Sequence, residues 1–390
     1  MALPRNNRDM KKILIVNNNM HIGGVQKALV SLLWAIRDRY DITLLLFHRG
    51  GEYLKDIPPE VKVITPDSSY RYLGMTKYDA LGLRHKLGRG VYAGITRLFG
   101  RSRAISLMAL GQKKLEGYDV AISYLHNGGE KLFYGGCNDF VLRHVAVQKK
   151  ITFLHCDYTL CGANTSQNAK QYAAFDKIAA CSEGCGDKFL QIHPQMAEKL
   201  LVVPNCHRFE DILAKAGEAP AHLTEDKINI VTVARLGKEK GVERALRVIA
   251  ALGKEKNRLH YYVVGDGICM PLLQQIIKEK NLEATVTLCG MLENPYGYIQ
   301  AADLLLIPSY SEAAPLVIGE AASLGTPVLS TETSSAKEMI EKPGLGWVCE
   351  NSEEGIRDGL KRLLSQPEIL KNTLIKMDND KAVSQFTKLI

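Results

Sequence analysis

Short apolar runs recur along this chain. Each is followed by a glycine-containing loop and then by a stretch with helical spacing, and that alternation leaves few folds open. Lys12-Ile13-Leu14-Ile15-Val16 is the first such run. After Asn17 to Val25 come Ala28, Leu29, Leu32, Leu33 and Ile36, spaced as one face of a helix. Asp119 to Tyr124, Lys150 to Leu154, Ile228 to Val231, Tyr261 to Val264, Thr285 to Gly290 and Ala301 to Ile307 repeat the plan. These runs are apolar almost throughout, as in strands covered on both faces, so parallel sheets with helices on both sides are predicted. The chain has 390 residues, more than one ordinary core accommodates, so two α/β domains are expected.

Composition agrees with a globular enzyme, at 46% hydrophobic and 24% charged residues. Residues 205–226, rich in Pro, Ala and charge, read as an interdomain linker, and Gln366 to Ile390 as helices. Met1 to Lys12 is polar and carries no secretory leader, and no apolar run reaches the ~18 residues of a membrane span. Nine cysteines, with Cys156/Cys161 and Cys181/Cys185 as close pairs, match no zinc spacing well. They read as reduced thiols of a cytoplasmic protein. The charge is uneven: 71–116 holds ten Lys and Arg against two acids, a net +8, and the remainder is neutral. Leu83, Leu87, Val91, Leu98 and Phe99 lie among those cations. This basic amphipathic stretch could rest on an anionic membrane or pack its apolar side on the core. No aromatic-rich recognition motif accompanies it, so nucleic acid is not expected as a partner.

Two segments carry chemistry. Thr232 to Glu243 follows a strand and contains Arg235, Gly237, Lys240 and Gly241. A strand, a basic glycine loop and a helix start suit a diphosphate. Pro308 to Ala321 holds Glu312 and Glu320 eight positions apart with small or apolar residues between them, again after a strand. Carboxylates at the carboxyl end of a sheet can accept hydrogen bonds from sugar hydroxyls. Tyr261 to Gly267 ends a strand in Gly265-Asp266-Gly267. The third glycine of a dinucleotide fingerprint is missing, which disfavours a Rossmann oxidoreductase.

The Glu-x7-Glu pattern, followed by Ala322 to Leu329, resembles the signature of family 4 glycosyltransferases. The resemblance covers nearly the whole chain, most strongly Ile228 to Thr331. It implies the GT-B fold: two Rossmann-like domains facing each other across a cleft, with a C-terminal helix crossing back. Residues 1–205 would bind the acceptor, 206–368 the nucleotide-sugar, and 369–390 would form the returning helix. It implies a retaining hexosyltransferase, with UDP ahead of GDP as the nucleotide, acting on a saccharide or lipid-linked acceptor in surface polysaccharide synthesis. Glu312 would hold the donor sugar and Glu320 the ribose. Arg235 and Lys240 would hold the diphosphate, with Gly23, Gly24 and Gly265 allowing close backbone approach. Leu292 would cup the base, and Ala314, Pro315, Leu316 and Val317 would line the donor site. His155, ending a strand of the first domain, would face the transferred sugar, whereas His21 and His126 are weaker candidates and His126 could line the acceptor side.

No Asp-x-Asp metal motif is evident in a suitable loop, so neither a required metal nor a cofactor is expected. Ala313-Ala314 departs from the family's Gly-aromatic pair, a change to the donor-sugar pocket. A cytoplasmic position, peripheral on the inner membrane face through 71–116, follows from the same resemblance. The rival readings are a GT-B sugar-nucleotide epimerase, which should carry more acid/base residues, and an inactive scaffold binding a partner through its basic face.

Overall fold

The computed structural model describes residues 10–76, 79, 82–219, 221–369 and 377–390. The parts of the readings above that fall on residues 1–9, 77–78, 80–81, 220 and 370–376 lie outside them. The chain divides into two compact units. One runs to Cys206 and is completed by Asn379–Ile390, and the other is His207–Asp378.

The first unit has seven strands: β1 (Lys12–Asn17), β2 (Asp41–Leu46), β3 (Lys62–Ile64), β4 (Val120–Ser123), β5 (Lys149–Leu154), β6 (Lys177–Ala180) and β7 (Leu200–Val202). Their order is β3-β2-β1-β4-β5-β6-β7, with every pair parallel. Alternation along β1 shows why its run is wholly apolar. Ile13 and Ile15 enter one core layer, while Leu14 and Val16 enter the layer on the opposite face. The helix Gly24–Ile36 covers the first face with Leu29, Leu32, Leu33 and Ile36. The last helix, Asp380–Leu389, joins the same layer through Ala382, Val383, Phe386 and Leu389, so the chain end returns to the first unit. Each such Ile, Leu, Val or Phe contributes about 1.5–3 kcal/mol by leaving water.

The second unit has six strands: β8 (Ile228–Val233), β9 (Leu259–Val264), β10 (Val286–Gly290), β11 (Leu304–Ile307), β12 (Val328–Thr331) and β13 (Gly346–Cys349). Their order is β10-β9-β8-β11-β12-β13, all parallel. Leu304 and Leu306 face one core layer and Leu305 and Ile307 the other. In both sheets the winding reverses once, between β1 and β4 and between β8 and β11. Such a switch point parts the flanking loops and opens a crevice at the carboxyl ends of the strands.

Two readings need correction. Residues 205–226 are not only linker, because they contain the helix Phe209–Glu218, whose Ile212 and Ala216 are buried in the second unit's core. Its apolar spacing was masked by the surrounding charge. The stretch 71–116 is largely helical, over Arg71–Gly74, Leu83–Phe99 and Arg101–Met108, yet Arg101 is not one of its surface cations. Arg101 is 3% exposed and paired at 3.1 Å with Asp139.

Candidate active site

In the second unit the switch point is built by the loops after β8 and β11. Lys240 Nζ donates to Glu312 Oε1 at 2.7 Å, joining two segments 72 residues apart. Ser309 Oγ donates to the same oxygen at 2.7 Å, and Ser334 Oγ donates to the Glu312 carbonyl at 2.6 Å. The two charged side chains are only 22% and 10% exposed, so this is a half-dry ion pair. Arg235 stands apart from it, 76% exposed and paired with Glu239 at 2.8 Å. Arg235 and Lys240 therefore each already have a carboxylate partner.

Backbone contacts hold these loops. Gly265, at φ +139, ends β9 where a Cβ would overlap the carbonyl oxygen of Ala234, one residue before Arg235. The two loops then run together, with Ala234 N donating to Val264 O at 3.0 Å and Leu236 N to Asp266 O at 2.9 Å. Gly265 is thus a packing requirement of the Arg235 loop. Gly241, at φ +61, plays the same part beside the Pro308 carbonyl.

Sequence reasoning missed Arg244. Its side chain is 2% exposed in the helix Val242–Ala251. Its guanidinium donates at 2.7 Å to both the Pro308 and Ser309 carbonyls and lies 4.0 Å over the Tyr310 ring. Burial pulls its pKa below the ordinary arginine value. Thr331 Oγ1, at the end of β12, also donates to Ser309 O at 2.6 Å. The loop carrying Glu312 is therefore pinned from both sides. A cation followed four residues later by a second one inside an amphipathic helix was the available signal, but it looks the same on a solvated face.

The remaining candidates of this unit follow Glu312 along the chain, except Leu292. Glu320 is 3% exposed within the helix Leu316–Leu324, and Pro315 caps that helix. Ala314, Leu316 and Val317 are half-buried at its start. Leu292 follows the edge strand β10 and packs on the same apolar layer as Val317.

In the first unit, Gly23 and Gly24 open the helix after β1. A Cβ on Gly24 would meet nothing within 4 Å, and Gly23 has extended backbone, so neither glycine is demanded by turn geometry. His155 follows β5, stacks on Phe153 at 5.7 Å and packs at a tilt against Tyr124 at 4.7 Å. Its Nε2 is enclosed and has no hydrogen-bond partner, as is Nδ1 of His126 in the loop after β4. Burial pushes His155 to about 3, helped by the neighbouring His126, and burial alone pushes His126 to about 4. Two neutral imidazoles therefore stand together. Asn127, next to His126, is fixed by Arg101 and Asn168, at 3.1 and 3.0 Å. His21 sits elsewhere, bridging Asp79 at 2.8 Å and Glu52 at 3.3 Å. Among the described residues, no group of three or more His, Cys, Asp and Glu is arranged to hold a metal ion.

Two doubly wound parallel sheets, with the terminal helix returned to the first, define a GT-B-type α/β protein. The same fold occurs in HepE from Anabaena, solved with UDP and glucose, at a TM-score of 0.66 and 19% identity over 97% of this chain and 98% of that one. Residues 218–377, less than half of the chain, match the family model of glycosyl transferases group 1. A Campylobacter jejuni N-acetylgalactosamine-N,N'-diacetylbacillosaminyl-diphospho-undecaprenol 4-alpha-N-acetylgalactosaminyltransferase is 30% identical over 202 residues, 51% of this chain and 54% of that protein. The amylovoran biosynthesis glycosyltransferase AmsK of Erwinia amylovora is 30% identical over 149 residues, 36% of this chain and 37% of that protein. The chain thus spans about a third to a half of the length of these relatives.

Proposed function

We propose that this chain is a retaining glycosyltransferase of family 4 type, moving a hexosyl unit from a nucleotide-sugar, UDP-linked ahead of GDP-linked, to a saccharide or lipid-linked acceptor of a bacterial surface polysaccharide. The observation that carries the reading is the meeting of Lys240 and Glu312 at the switch point of the second sheet. An acid and a base placed together there offer an anchor for hydroxyls beside a counter-charge for diphosphate. The match of 218–377 to glycosyl transferases group 1 supports the same assignment, as do relatives named for polysaccharide and undecaprenol-linked substrates.

In this mechanism Glu312 accepts hydrogen bonds from the donor sugar, and Glu320 is assigned to the ribose. Lys240 and Arg235 exchange their carboxylate partners for the diphosphate and neutralise the charge that grows as the nucleotide departs. Because these cations meet that charge, turnover requires no divalent ion and survives EDTA. Gly23 and Gly24 leave backbone N–H groups open to a phosphate, and His155, neutral at physiological pH, faces the sugar. An anionic membrane is the proposed support for the enzyme. In the helix Leu83–Phe99 only Thr96 is buried, while Leu83, Leu87, Val91 and Leu98 form one exposed stripe between Arg84, Lys86 and Arg97. Apolar side chains standing out between cations suit a bilayer surface, where each cation adds ~1 kcal/mol.

The test is thermal shift and calorimetry against UDP-, GDP- and ADP-sugars, followed by turnover with the sugar that binds. Stabilisation by a UDP-sugar is expected, and silence from every nucleotide-sugar refutes the proposal. Glu312→Ala is expected to lower turnover at least 100-fold with the fold intact, since Glu312 lies on the loop between β11 and the helix Leu316–Leu324.

A further inference from the structure

The geometry points to Cys156 and Cys161 as a reversible oxidation site, a dithiol that closes into a disulfide under peroxide. The two Sγ atoms are 3.3 Å apart, with the Cys156 thiol donating to the Cys161 sulfur. The loop after β5 brings them together. Leu160 N and Cys161 N both donate to the Asp157 carbonyl, at 3.1 and 3.0 Å, folding the five-residue spacing back on itself. Asp157 Oδ1 accepts from Thr159 N at 3.0 Å and fixes the turn. No large movement separates these thiols from bonding distance, and a disulfide tolerates side-chain rotation more readily than backbone shift.

Access divides the pair into distinct roles. Cys161 is half-buried between exposed Leu160 and Gly162, so an oxidant reaches it from solvent. Its pKa is pushed down, first by the hydrogen bond from Cys156, which favours its thiolate. The neighbouring thiols are poor competitors. Cys181 and Cys185 are buried, and Cys185 Sγ is turned to the Cys156 carbonyl at 3.2 Å, not to a sulfur.

The chemistry balances with hydrogen peroxide as oxidant. The Cys161 thiolate attacks one peroxide oxygen, the O–O bond breaks, and hydroxide leaves a sulfenic acid on sulfur. The Cys156 sulfur then displaces that hydroxyl, its thiol proton passes to the leaving group, and the S–S bond forms. Two electrons leave the sulfurs and peroxide becomes two waters. A dithiol reductant reverses the change.

The experiment treats the intact protein with hydrogen peroxide, blocks remaining thiols with N-ethylmaleimide and reads tryptic peptides by mass. Residues 151–170 form one tryptic peptide containing Cys156, Cys161 and no other cysteine. It is expected two hydrogens lighter, unalkylated, and restored by dithiothreitol, at a dose leaving Cys289 and Cys349 open to alkylation. Cys161→Ser should abolish the light species and Cys185→Ser should retain it. An alkylated peptide at that dose, or linkage of Cys156 to Cys181 or Cys185, overturns the proposal. Because Cys185→Ser and the unaltered chain decide the question by mass alone, neither misfolding of Cys161→Ser nor failure of the glycosyltransferase reading obscures it.

Discussion

Replacing Arg244 by methionine tests whether a buried cation, invisible as such in the sequence, holds the candidate active-site loop. Methionine keeps much of the apolar stem but removes every donor. The Pro308 carbonyl, 2.7 Å from the guanidinium, loses that donor, and the Ser309 carbonyl, also at 2.7 Å, keeps only Thr331 Oγ1. A hydrogen bond from a charged donor contributes about 1.5–3 kcal/mol net. Two of them give about 3–6 kcal/mol, and relief of the guanidinium's own desolvation offsets part of that. The expected loss is about 3–5 kcal/mol in the second unit. With a urea slope of ~1–3 kcal/mol per molar, the midpoint falls by about 1–5 M. The chain's two tryptophans make the assay local, since Trp34 lies in the first unit and Trp347 in β13 of the second. Urea unfolding followed by Trp347 fluorescence in a Trp34→Phe background reads the second unit alone. Arg244→Lys should fall between, because one ammonium cannot fork to both carbonyls. A Trp347 midpoint for Arg244→Met within about 0.2 M of the parent refutes the reasoning.

Gly265→Ala places a Cβ against the Ala234 carbonyl at φ +139, so strain of about 1–3 kcal/mol is expected. The donor KM should rise at least threefold as the Arg235 loop shifts, and kinetics indistinguishable from the parent would count against that coupling. His155 and His126 have folded pKa values of about 3 and 4, below the ordinary 6.5. The unfolded chain therefore binds more protons as pH falls, and the stabilisation present above pH 6.5 is lost between about 6.5 and 3. Urea midpoints read by Trp34 in a Trp347→Phe background should decline through that window, and His126→Gln should flatten the decline; an equal slope in both proteins would dismiss it. Val91→Glu together with Leu87→Glu should cut sedimentation with phosphatidylglycerol vesicles at least tenfold while leaving unfolding unchanged, because both side chains are more than half exposed. Undiminished sedimentation would remove the membrane from the proposal.

Strands such as β1 and β11 were legible because a parallel strand covered on both faces must be apolar at every position, as Ile13 to Val16 and Leu304 to Ile307 are, whereas β2, β3, β12 and β13 were not read. Placing Lys240 and Glu312 in loops at strand ends needed no more than that pattern and its glycines. That they touch needed the strand order, since β8 and β11 are neighbours only because the sheet reverses there. The helix Phe209–Glu218 escaped notice because charge and proline around it outweighed two buried positions.

Local rules depend on neighbours a few residues away, and the chain carries those in full: apolar runs become strands, glycines become turns, and α/β alternation becomes parallel sheets. Whether a given cation meets water or protein depends on segments far along the chain. Arg101 and Arg244 look like Arg97 and Arg247 in the sequence, yet the first two are buried on Asp139 and on the Pro308 and Ser309 carbonyls. The exposed stripe of Leu83, Leu87, Val91 and Leu98 teaches the same lesson in reverse. Periodicity set the stripe, but only packing decided that it would face outward, because burial is a property of what the other segments leave uncovered.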